Sequence, residues 1–182
     1  YAVMKEFYEV VKNDENKNVI QSLQFKLCNL KDINHTISRL ATSVVIDDIE
    51  LYEVKSLALL SADVKNILEK ISLDKIIEIP NLDDVVKILD PDGLRIATFY
   101  IYDSYSEELA SLRKKLKEKD VYQEEIYNEV MRIEDEIRAE LSSKLKPYSE
   151  AMTLALNALA DVDINIAKSL QMKELGLCFP MI

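Results

Sequence analysis

Few residues in this chain are suited to chemistry. His35 is the lone histidine, and no Cys, Ser or paired-carboxylate pattern beside it supplies the partner that nucleophilic or acid–base catalysis requires. It reads as a surface or cap-region histidine. Asp161 and Asp163 flank Val162 and suggest paired metal carboxylates, but side chains two apart on a helix point in different directions. Asp163 follows Leu159 by one turn and lies beside an apolar stripe, as Arg39 does in its own segment. The two are a candidate for a partly buried ion pair bracing distant parts of the chain, set against the plainer reading of a solvated aspartate.

Arg113, Lys114, Lys115, Lys117 and Lys119 form the one basic cluster, and the chemistry open to it is contact with phosphates. Against this stand Glu124, Glu125, Glu129, Glu134, Asp135 and Glu136, which would neutralise it across an antiparallel hairpin. Tyr122 and Tyr127 are placed to stack on bases, although tyrosines at helical spacing more often pack. Cys28 and Cys178 are too few for a disulfide framework or a four-ligand zinc site.

The elements that position these side chains are helical. Only Gly93 and Gly176 occur among 182 residues, with four prolines, which favours helices over turn-rich sheets. The formal charge of -10 argues against a broad phosphate-binding surface, so any DNA contact is local. No signal peptide and no apolar run of spanning length is visible, and the chain reads as soluble and cytoplasmic. It opens on Tyr1 and closes on the apolar run Leu177 to Ile182, as an internal piece of a longer protein would.

Apolar spacing predicts two short helices around Val3–Val11 and Val19–Leu27, broken by Asn13–Asn18. Asn29 or Asp32 is expected to cap a third with the stripe Leu30, Ile33, Ile37 and Leu40. Asp47 and Asp48 suit the start of a long helix to about Ile71, buried on more than one side. A short helix through Val85, Val86 and Leu89 follows Pro80, and then Pro91, Asp92 and Gly93 spell a turn. Arg95 to Tyr102 is β-branched and aromatic, giving at most a short β hairpin near residues 94–102, or an extended connector.

Ser104 or Ser106 opens a helix with the seam Leu109, Leu112 and Leu116. Capping-box spacing at Asp120 and Gln123 predicts a turn near Lys119, after which Ile126, Val130, Ile133, Ile137, Leu141 and Leu145 return the stripe. Pro147 should kink or split the long element, and Gly176 and Pro180 end it. The fold class is all-α: a helical core bundle with a projecting antiparallel hairpin of long helices.

The order of segments resembles the MutS family of DNA mismatch repair ATPases. Leu30-Lys31-Asp32-Ile33 ahead of Ser38-Arg39-Leu40 is similar to that family's Asp-Leu-Glu-Arg and Arg-Leu pattern. Asp103-Ser104-Tyr105-Ser106-Glu107-Glu108-Leu109, with Leu112 and Arg113, resembles the segment leading from core to lever. Leu159-Ala160-Asp161-Val162-Asp163, with Ala167 and then Cys178-Phe179-Pro180, is similar to the returning lever helix. Only Lys117 to Glu125 stands where many relatives insert a β-rich clamp, so the resemblance is to a clampless branch.

The resemblance implies a first core part at 1–103, a lever hairpin at 104–146 and a returning helix at 147–182. It implies a non-catalytic connector coupling an ATPase domain outside this chain to DNA, with Arg113, Lys114, Lys117 and Lys119 as local DNA contacts and Arg39, Asp163 and Pro147 as coupling residues. ATP and Mg would belong to the parent, a homodimer. No phosphate-binding loop of the form Gly-x-x-x-x-Gly-Lys-Ser occurs here. Two other readings are a dimerisation module pairing through the hairpin seam and a chain that binds DNA by itself.

Overall fold

The structure is a computed structural model that describes residues 2–117 and 123–179. Lys119, Tyr122, the turn expected near Lys119–Asp120 and Pro180 lie outside the described residues. The chain is all-α, with no strand among the described residues. It forms two compact units, one of residues 1–32, 59–82 and 151–182, the other of residues 33–58 and 83–150.

In the first unit α1 (Ala2–Lys12) and α2 (Lys17–Leu27) are separated by a 3-10 turn at Asp14–Asn16. Asn13 starts that turn by accepting the Glu15 N–H at 3.0 Å, and the Asn16 amide donates back to the Val10 carbonyl at 3.0 Å. This is the usual use of asparagine where a helix must stop. Phe7 and Val11 of α1 and Ile20, Leu23 and Leu27 of α2 are buried. Lys26 pairs with Asp63 at 2.6 Å, and Lys173 reaches Asp14 at 2.8 Å and the Val11 carbonyl at 3.1 Å.

The second unit begins with α3 (Asn34–Ala41). It starts later than Asn29 or Asp32 would have placed it: Ile33 occupies the cap position with no side-chain capping bond. Asn29 instead faces backward, donating to the Phe25 and Lys26 carbonyls that end α2. Its amide satisfies orphan carbonyls there, a task as local as capping the next helix.

α4 (Asp48–Lys70) contributes its first half to the second unit and its second half to the first. It opens on a reciprocal cap: the Glu50 N–H donates to Asp47 Oδ1 at 2.9 Å, and the Asp47 N–H donates to Glu50 Oε2 at 3.0 Å. This is a capping box with aspartate as the leading residue. α5 (Asp83–Leu89) follows, and the turn at Pro91–Gly93 closes with the Gly93 N–H on the Asp90 carbonyl at 3.0 Å. Gly93 sits at φ 67, where a side chain would be strained.

Residues 94–102 form no β hairpin. Arg95 adopts φ 51 and gives its N–H to Asp90 Oδ2, and the Thr98 N–H bonds the Ile96 carbonyl only two residues back. Those local bonds bend the chain before a ladder could start. The aromatic residues pack on one another instead, with Tyr102 lying 4.3 Å from Tyr100 and 5.9 Å from both Phe99 and Tyr105 between ring centroids.

α6 (Glu107–Leu116) is capped by Ser106, whose Oγ accepts the Leu109 N–H at 3.2 Å. α7 (Gln123–Leu145) packs against α6, α5 and α3. Val130, Ile133, Ile137, Leu141 and Leu145 are all buried, so the predicted stripe is the packed face. The compact units do not follow the boundaries expected at 103/104 and 146/147, because the packing of α7 on α3 and α5 joins residues 104–146 to 33–58 and 83–103. Pro147 splits the long element: a 3-10 turn at Lys146–Tyr148 separates α7 from α8 (Ser149–Leu175). There the missing N–H costs nothing, since a first-turn N–H has no intrahelical acceptor.

Ser106 rather than Ser104 caps α6. Ser106→Ala is expected to lower stability by about 1 kcal/mol, and Ser104→Ala to leave it within about 0.5 kcal/mol, both read from urea unfolding midpoints. Equal effects would mean that the cap is misassigned.

Candidate functional site

The basic cluster is not left free as a unit. Arg113 is half-buried and bonded on three sides: Nη1 donates to the Ile101 carbonyl at 2.7 Å and to Asp103 at 2.5 Å, and Nη2 donates to Glu134 at 2.7 Å. Burial works against its charge, but the Glu134 and Asp103 carboxylates outweigh burial and raise its pKa. Arg113 is therefore a brace between α6 and α7 and not a phosphate contact. Lys114, Lys115 and Lys117 are exposed.

Among the described residues the acidic arm meets the cluster through Glu134. Glu134 meets Arg113; Glu129 and Glu136 are both held by Arg132 on the same helix, and Asp135 is held by Arg138. Arg138 also reaches off α7, donating from Nε at 2.7 Å and Nη2 at 3.2 Å to the two carboxylate oxygens of Asp48. That fork clamps α7 to the first turn of α4. One turn later Ser142 Oγ accepts the Ile46 N–H at 3.1 Å, fixing the loop before α4.

Arg39 pairs within its own unit. Its Nη1 donates to Glu50 Oε1 at 2.6 Å and its Nη2 to the Val45 carbonyl at 3.2 Å, while Asp163 is exposed on α8. Glu50 is set eleven residues on by the α3–α4 loop, its other oxygen already fixed by the capping box. His35 and Asp161 are exposed, as is Tyr127. Among the described residues no group of three His, Cys, Asp or Glu side chains is placed to hold a metal ion.

The most unusual chemistry lies where no motif pointed. Lys55 falls in the part of α4 belonging to the second unit, with Leu51 and Val54 before it and Leu57 and Ala58 after it all buried, and its own side chain is 0 % exposed. An ammonium there is tolerated only if it is paired and hydrogen-bonded. Asp90 Oδ1 accepts from it at 3.0 Å, and Tyr102 Oη at 2.9 Å, with the Tyr102 ring centroid 5.2 Å from Nζ.

Asp90 is as deeply placed, at 1 %, and its second oxygen takes the Arg95 N–H at 2.6 Å. Burial raises its pKa, but that N–H and the Lys55 ammonium together hold it below the ordinary 3.8. Tyr102 Oη donates on to the Thr98 carbonyl at 3.3 Å, and Tyr105 Oη to the Ile88 carbonyl at 2.8 Å. Burial pushes the Tyr105 phenol upward, so it stays a donor. A lysine amine is a potential nucleophile, but this one has no exposed surface and its Nζ is committed to Asp90 and Tyr102. Its task is to tie the connector to α4.

No protein-family model, no curated protein and no solved structure matches this chain. The signal that could have found Lys55 was in the sequence: a lysine one turn from Leu51 and one turn from Leu59, on a helix read as buried on more than one side. Its partner was not readable, since Asp90 lies 35 residues away.

Removing one member of the buried pair, by Lys55→Met or Asp90→Asn, is expected to cost about 3–5 kcal/mol, and the double variant less than the sum. Because the folded carboxyl of Asp90 titrates below its unfolded value, its contribution is complete above the ordinary 3.8 and is lost as pH falls through the lower folded value. Asp90→Asn should flatten that part of the acid-unfolding profile; an unchanged profile would remove Asp90 from the account. In double-mutant cycles Arg39 is expected to couple to Glu50 and not to Asp163. Measurable coupling to Asp163 would reverse that assignment.

Proposed function

We propose that this chain is a non-catalytic helical connector of the core-and-lever kind, in a MutS-type mismatch repair ATPase of the clampless branch. It couples an ATPase domain outside this chain to bound DNA. The observation that carries the reading is a closed circuit of polar contacts around the start of α4. Lys55 holds Tyr102, the neighbouring Ile101 carbonyl holds Arg113, Arg113 holds Glu134, Glu134 holds Arg138, and Arg138 holds Asp48. Asp48 and Lys55 are two turns apart on one face of α4.

Such a circuit makes α6, α7 and the beginning of α4 move together. α4 is one uninterrupted helix that continues into the first unit, and a helix transmits axial displacement because each turn is stiffly bonded to the next. The three sequence anchors support the family, and the family comparisons add nothing to them. In this reading ATP and Mg are bound by the parent's ATPase domain, and the parent acts as a homodimer on DNA.

The rival dimerisation reading keeps only half of its surface: Leu109, Val130 and Ile133 of the proposed seam are buried within the chain, while Leu112, Leu116 and Ile126 stay partly exposed. For the DNA contact, Lys114 and Lys117 remain candidates and Arg113 is withdrawn; Lys119 lies outside the described residues. In the full-length protein Lys114→Glu with Lys117→Glu is expected to weaken DNA binding several-fold and lower the salt slope by about 2. Unchanged affinity and slope would place the DNA contact elsewhere. A reading frame with no phosphate-binding loop after Ile182 would overturn the ATPase-coupled reading itself.

A further inference from the structure

One face of α8 in the first unit is open along four turns. Leu154, Asn157, Ala158, Asp161, Asn165 and Lys168 line a single groove, at spacings of three and four that trace one straight stripe of a helix. From Leu154 to Lys168 the stripe is about 21 Å long, at a rise of 1.5 Å per residue. Val3 and Met4 of α1 and Ile76 and Ile77 of the loop after α4 complete its apolar lining. Leu154 is 54 % exposed and Val3 is exposed too, so apolar surface at this end of the groove is left in water, while Ala158 in the middle belongs to the buried core.

We propose that this groove receives a cationic amphipathic helix of a partner protein. The length fits about four helical turns, and Ala158 at the middle of the stripe is small enough to let a second helix approach closely. Its apolar seam would pack on Leu154, Val3 and Ile76, as in helix-in-groove recognition. Charge decides the partner's chemistry. Glu78 and Asp161 border the groove with no ion-pair partner among the described residues, and the chain's formal charge of -10 attracts cations from a distance. Lys168 at one end favours a carboxylate there and so sets the direction in which the helix lies. This inference stands independently of the connector reading.

The test uses two capped peptides of about 14 residues, one of Leu and Lys and one of Leu and Glu, each with its leucines on one helical face, titrated against the whole chain by fluorescence anisotropy. The Leu/Lys peptide is expected to bind at least about tenfold more tightly than the Leu/Glu peptide, and Leu154→Glu to weaken it by about tenfold. Glu78→Lys with Asp161→Lys should reverse the preference between the peptides. Glu124→Lys with Glu125→Lys, on α7, should leave it unchanged. Circular dichroism confirms that each variant is folded. A preference that survives the Glu78/Asp161 reversal, or that shifts as much with Glu124/Glu125, would reduce the effect to general attraction by an acidic protein and overturn the proposal. A dimer of the chain that Leu154→Glu dissociates would give the groove to a second copy and overturn it equally.

Discussion

An ammonium group that cannot reach water has to be met by a carboxylate, and the second unit is arranged around that requirement. Lys55 extends from a stretch of α4 that is covered on nearly every side, so Asp90 must be brought to it and held. Holding Asp90 in turn needs a donor for its second oxygen, which Arg95 supplies only by adopting a left-handed backbone. That conformation, unfavourable by roughly 1–2 kcal/mol for a side-chain-bearing residue, is why the aromatic connector bends where a strand was plausible. The bend then sets Tyr102 over the lysine and turns the Ile101 carbonyl toward Arg113.

Charge is distributed on the same principle. The chain carries a large acidic surplus, yet the acids of α7 do not simply repel one another. Arg132 gathers Glu129 and Glu136 at helical spacing in exposed pairs that contribute little to stability, while Arg138 takes exposed Asp135 and the more enclosed Glu134. The partly buried contacts differ. Arg113 to Glu134 and Arg138 to Asp48 join separate elements; Arg138 forks onto both oxygens of Asp48, and Arg113 spreads its guanidinium over Glu134, Asp103 and the Ile101 carbonyl, so each fixes orientation as well as distance. Arginine is needed at both places, because a lysine would hold a point and not a plane.

What could be read from the sequence follows from how local each determinant is. Pro147, the Ser106 cap and the Asp47–Asp48 start of α4 were legible because they act through backbone groups within one turn. The buried stripe of α7 was legible from period alone. The start of α3 was not, since Asn29 had two equally local tasks and took the one behind it. The partner of Arg39 and the whole of the Lys55 site depend on residues brought together by the fold. A close acid competes well for an arginine, and Glu50 faces Arg39 with its other oxygen held by the capping box. Of the basic cluster, the sequence showed correctly that an opposing acid would matter, but not that Glu134, together with Asp103 and the Ile101 carbonyl, would take Arg113 and leave Lys114, Lys115 and Lys117 exposed.

These constraints bear on what α4 can do. A helix held at one point can rotate about it, whereas a helix held at two points on one face can only translate or carry its neighbours with it. Asp48 is gripped by α7 and Lys55 by the connector, with two turns between them. The grips are chemically unlike: the outer is an arginine fork open to water on one side, the inner a dry pair that opens only at considerable cost. The outer grip is therefore the one that water can loosen, and the inner the one that fixes α4 in its place.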